Sequence, residues 1–129
     1  MDDVVREGES ACDAAAQKAQ ELKQEADKMR SEADNLGNRI SELHRKTLVQ
    51  VVQRDGFELV RVRREISKKK REKNDLVAEA KRTDRKASKL KRRERDLRNL
   101  VTLLKSNPDS TRIAGKVTAA ASGLMSKAV

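Results

Sequence analysis

The side chains able to do covalent or metal chemistry are few and far apart. His44 is the only histidine and Cys12 the only cysteine. Together they fall short of the four ligands of a structural zinc site. Neither a GxGxxG turn nor a phosphate-loop sequence occurs. The carboxylates fall on expected outer helix faces among basic residues, where surface pairing accounts for them. The expectation is a non-enzymatic protein without catalytic residues, metal, cofactor or small-molecule substrate.

What remains is charge chemistry. KKKREK supplies Lys68, Lys69, Lys70, Arg71 and Lys73, and KLKRRERDLR supplies Lys89, Lys91, Arg92, Arg93 and Arg95. Such runs neutralise phosphates, with affinity that falls steeply with salt, or face an acidic protein surface; they also serve as plain solvated helix faces. Base stacking is not expected, because Phe57 is the only aromatic residue.

The charge is unevenly placed. The net +10 of the 129 residues divides into −3 over 1–55, +11 over 56–106 and +2 over 107–129. A surplus of that size in one segment implies an anionic neighbour in the working assembly, or pairing between the two halves. A lone cysteine rules out an intramolecular disulfide framework and suits a reducing compartment. The N-terminus lacks the pattern of a signal peptide, and no apolar run reaches the ~18 residues of a membrane span. These features predict a soluble, intracellular protein: cytoplasmic, nuclear or virion-associated.

Elements able to carry these charges follow from periodicity. Cys12, Ala15, Ala19, Leu22, Ala26, Met29, Ala33, Leu36, Ile40 and Leu43 recur at alternating steps of three and four, the signature of a coiled-coil seam. Gly37 weakens this helix by up to about 1 kcal/mol relative to alanine. A second seam runs through Ile66, Leu76, Ala80, Ala87, Leu90, Leu97, Val101 and Leu104, interrupted by Lys69, Lys73, Thr83 and Glu94. It should stop near Ser106, because a residue before proline is disfavoured in helical geometry and Pro108 follows.

Between the seams, TLVQVVQRDGFELVRVR carries five valines around Asp55-Gly56. Asp-Gly between β-branched runs signals a β-hairpin, here with Val51 opposite Val60 and Val49 opposite Val62. A helical turn with Gly56 at the break is the rival. The first seam extrapolates to 54, 57 and 61, whereas the second uses 59, 62 and 66, which argues against one unbroken helix. Reversal at 55–56 brings Leu36 to Leu76, Leu22 to Leu90 and Ala15 to Leu97.

The predicted fold is all-α: an elongated antiparallel helical hairpin or coiled coil over 1–106 (arms about 3–46 and 64–106, tip 47–63), with a tail over 107–129. The tail should form a short amphipathic helix docking through Ile113, Val117 and Leu124, with Asp109 or Ser110 as N-cap. The run from Asn74 to Leu104 approaches a basic-region leucine zipper. However, seven residues rather than that family's nine separate Arg82 from Leu90, about 200° of helix rotation out of phase. In shape alone, the predicted hairpin resembles the β-type subunit of the prefoldin chaperone and flagellar export proteins of the FliJ type.

An alanine-rich seam buries little area, so stability should require an oligomer or a larger complex. The expected role is a structural or assembly protein whose basic second helix faces an acidic partner. The alternatives are a sequence-nonspecific nucleic-acid-binding or packaging protein, and a prefoldin-like or export-type chaperone.

Overall fold

The computed structural model describes residues 2–53 and 56–128. Among them the chain is all-α, with three helices and no strand: α1 (Asp2–Gln53), α2 (Gly56–Ser106) and α3 (Thr111–Ala128). None of these helices is long and apolar enough to cross a membrane.

Local chemistry sets the ends. Asp2 and Asp3 lie in the first turn of α1, where the positive end of the helix dipole favours carboxylates. At the close of α2 the Asn107 amide donates to the carbonyls of Leu103 (3.0 Å) and Leu104 (3.1 Å), and its side-chain amide donates to Leu103 at 3.2 Å. Pro108 has no N–H with which to continue. The Ser110 hydroxyl then accepts the Ile113 amide at 3.3 Å, which makes it the N-cap of α3.

The chain divides into two compact units: Met1–Gln24 with Thr83–Val129, and Glu25–Arg82. In the first unit Ala11, Cys12, Ala15 and Ala19, all fully buried, pack against Leu90, Leu97, Val101 and Leu104 of α2 and Val117, Ala121 and Leu124 of α3. Small side chains on α1 allow close approach, closest at Gly8. A β-carbon added there would lie 2.6 Å from Val101 Cγ2 and 3.0 Å from Val117 Cγ1. Two ion pairs link α1 to α2 in this unit, Glu9 to Lys105 at 2.6 Å and Asp13 to Arg98 at 3.2 Å. Residue numbers therefore fall along α2 as they rise along α1.

In the second unit Ile40 and Leu43 of α1 cluster with Val62 and Ile66 of α2, and Ala26, Ala33 and Ala80 are also buried. Leu36 and Leu76 line one open cleft, together with Glu32, Asn35, Glu72 and Asp75. The half-buried Lys73 sends its stem across Gly37, so the glycine leaves room for a polar residue in the seam.

The segment at 47–63 departs from the β-hairpin expectation. α1 runs on through Gln53 and α2 starts at Gly56. Val49, Val51 and Val60 are half exposed, whereas Val62 is buried. Extending a formed helix adds one hydrogen bond per residue fixed, and an isolated two-stranded hairpin is marginal in water. The few tenths of a kcal/mol that β-branched residues lose in a helix do not reverse that balance. Asp55 lies outside the described residues; Gly56 opens α2.

Candidate anion-binding groove

Cys12, Ala15, Ala19, Ala26, Ala33, Ile40, Leu43, Ile66, Ala80, Ala87, Leu90, Leu97, Val101 and Leu104 are buried, and Leu22, Met29, Leu36 and Leu76 are half-buried. Thr83 is the one polar buried residue among those described. Glu94 and Lys69 are half-buried, like Lys73. In the tail Val117 and Leu124 are buried and Ile113 is half-buried against the same core.

Chemistry at Cys12 is closed off. Its thiol donates to the Glu94 carbonyl at 3.6 Å. Burial pushes its pKa up, with Arg98 pulling the other way and Glu94, Asp13 and Glu9 adding to the rise. His44 is exposed. Among the described residues no three of His, Cys, Asp or Glu gather as a metal-ligand set.

The basic residues are another matter. Lys68, Lys70, Arg71, Lys89, Lys91, Arg92, Arg93 and Arg95 are exposed. A contiguous run on a helix spreads around its whole circumference, at 100° per residue, so neither run forms a single site. Lys89 and Arg93 instead join Lys18 of α1, Lys86 of α2 and Lys127 of α3 around a groove of about 490 Å³ in the first unit, with Leu22 and Leu90 in its lining. Five cations from three helices thus converge on an apolar floor.

None of the five makes an ion pair among the described residues, although Arg98 nearby is held by Glu94 (2.7 Å) and Asp13 (3.2 Å). The neighbours of Lys86 one turn away on α2 are Arg82, Thr83, Lys89 and Leu90; those of Lys89 are Arg85, Lys86, Arg92 and Arg93. Like-charge pairs at this spacing each cost about 0.2–0.5 kcal/mol, a cost that a bound anion would relieve. Arg85, Lys89 and Arg92 also line a shallower cleft on α2 with Asp84 and Ser88. Arg63, Arg64 and Arg71 line another in the second unit with Val60 and Ser67.

Reading by runs missed Lys18, Lys86 and Lys127. Only Lys86 left a signal, since 86, 89 and 93 share one helix face. Lys18 and Lys127 reach the groove through packing of α1 and α3.

No family model, curated protein or solved structure matches the chain.

Proposed function

We propose that the protein is a non-enzymatic assembly component, an antiparallel coiled-coil arm that docks its cationic α2 surface onto an acidic partner protein. The observation that carries this reading is the groove of Lys18, Lys86, Lys89, Arg93 and Lys127 over Leu22 and Leu90. A phosphate backbone uses cations but gains little from an apolar floor. An acidic amphipathic helix uses both, pairing its carboxylates with the rim and laying an aliphatic side chain on the leucines, the groove-docking mode of helix recognition. Such contacts steer association and weaken with salt. The thin alanine seam fits a chain that gains stability within a larger assembly.

A second reading has its own support. Arg85, Lys89 and Arg92 are exposed along α2, a stripe suited to sequence-independent contact with nucleic-acid phosphates.

Titration separates the two. An acidic amphipathic helical peptide should bind more tightly than the same peptide with its apolar residues replaced by serine. The Lys86→Glu/Lys89→Glu variant should lose at least tenfold in affinity. Equal binding of both peptides, or tighter binding of duplex DNA or RNA than of either, would refute the acidic-helix reading.

A further inference from the structure

The cationic groove of the first unit has a charge-inverted counterpart in the second. Lys18 and Leu22 of α1 line the groove with Lys86, Lys89 and Leu90 of α2. A shift of fourteen positions, up along α1 and down along α2, turns these five into Glu32, Leu36, Glu72, Asp75 and Leu76. All five line the open cleft of the second unit, about 600 Å³ in volume. Each lysine of the set is matched by a carboxylate and each leucine by a leucine. The shift is two heptads, so every pair holds one position of the coiled-coil repeat.

The carboxylates are available. Glu32, Glu72 and Asp75 are exposed and make no ion pair among the described residues. Lys68 and Arg71 precede Glu72 and Asp75 by one turn on α2. A cation on the N-terminal side of its carboxylate is the weaker orientation for such pairs.

We propose that a second copy of this chain is the acidic partner, its cleft docked on the groove. This rests on the acidic-partner reading above and names the partner. Glu72, Asp75 and Leu76 fall at i, i+3 and i+4, within a 100° arc of α2. They form a short acidic stripe with a leucine, the kind of helix face that the groove suits. Packed ridge into groove, Leu76 of one copy meets the Leu22 and Leu90 floor of the other. The carboxylates beside it meet the lysines of the rim.

Within one chain the match is out of reach. Lys18 and Glu32 share α1, and Lys86 and Glu72 share α2. Fourteen residues of helix separate each pair by ~21 Å along the axis. Other occupants answer for one surface only. An unrelated acidic helix would fill the groove and leave the carboxylates over Leu36 and Leu76 unmatched. Nucleic acid would be repelled by the cleft. A second copy relieves the crowding of Lys86 and Lys89 and supplies cations to the cleft in the same contact.

Sedimentation equilibrium of the full chain at low ionic strength should show self-association that weakens as salt is added. Lys86→Glu/Lys89→Glu and Glu72→Lys/Asp75→Lys should each lower the association constant at least tenfold. Helical ellipticity should not change, since all four side chains are exposed. The first variant sets acidic groove against acidic cleft, and the second sets basic against basic. An equimolar mixture of the two restores opposite charges at both contacts, so association should return to within about threefold of the parent. The variant carrying all four changes keeps the parent's net charge of +10 and should associate as the parent does. A mixture that stays apart would reduce the separate losses to bulk charge and overturn the proposal. So would variants that associate like the parent. A parent that is monomeric throughout, yet still prefers the acidic amphipathic peptide, would overturn self-docking and leave the acidic-partner reading standing.

Discussion

The same substitution, glycine to alanine, should have opposite consequences at two positions of α1. At Gly8 the new methyl would sit 2.6 Å from Val101 Cγ2, 3.0 Å from Val117 Cγ1 and 4.0 Å from Leu97 Cδ1. Val101 and Val117 are buried and β-branched, so χ1 rotation offers little escape. Overpacking of this kind costs about 1–3 kcal/mol, against which alanine returns about 1 kcal/mol of helix propensity. At Gly37 the nearest atom is Lys73 Nζ at 2.9 Å, the free end of a flexible side chain that swings aside. There the propensity gain of up to about 1 kcal/mol survives. Because intrinsic propensity is common to both variants, their difference isolates the clash, about 1–3 kcal/mol. Thermal melts followed by helical ellipticity, at one fixed protein concentration, should place Gly37→Ala above the parent. Gly8→Ala should melt below Gly37→Ala by roughly 3–10 °C. If Gly8→Ala melts with or above Gly37→Ala, α1 does not pack against α2 and α3 as described.

Other expectations concern single side chains. Leu97→Ala, at a site 1% exposed, should cost about 2–5 kcal/mol in urea unfolding. Ser110→Ala should cost about 0.5–2 kcal/mol, seen as faster amide exchange over the first turn of α3. Cys12 should resist iodoacetamide in the folded protein and react on unfolding. Its raised pKa means the folded state holds the thiol proton more tightly than the unfolded chain. That share of stability is complete below the ordinary thiol value and lost as pH climbs through the folded one. Melts in an alkaline series should therefore show the parent losing stability relative to Cys12→Ala. A constant gap between the two would contradict the assignment.

Much of this architecture could be read from spacing. The step of three and four from Cys12 to Leu43 identified a buried edge because each seam side chain falls on one face whatever its partner. The Asn107-Pro108 stop and the Ser110 cap were legible because both depend only on neighbours in sequence. Around Val49 to Val62 the sequence left a β-hairpin and a helical turn both open, because β-branching describes single residues, whereas helix extension is cooperative over many. The groove was beyond sequence reasoning for a different reason. Lys18 and Lys127 are far from Lys86 in the chain, and only the packing of α1 and α3 against α2 brings their charges to one place.

The two units differ in chain continuity. The second is one uninterrupted stretch, Glu25–Arg82, while the first draws on Met1–Gln24 and on Thr83–Val129. During synthesis the alanine face of α1 leaves the ribosome long before Leu97, Val101 and Val117 exist to cover it. The second unit has its full complement of residues earlier. Contacts such as Asp13 to Arg98 span 85 positions, and closure over such distances is slow relative to local helix formation. Translation therefore makes all residues of the contiguous unit available to one another before those of the other unit can meet.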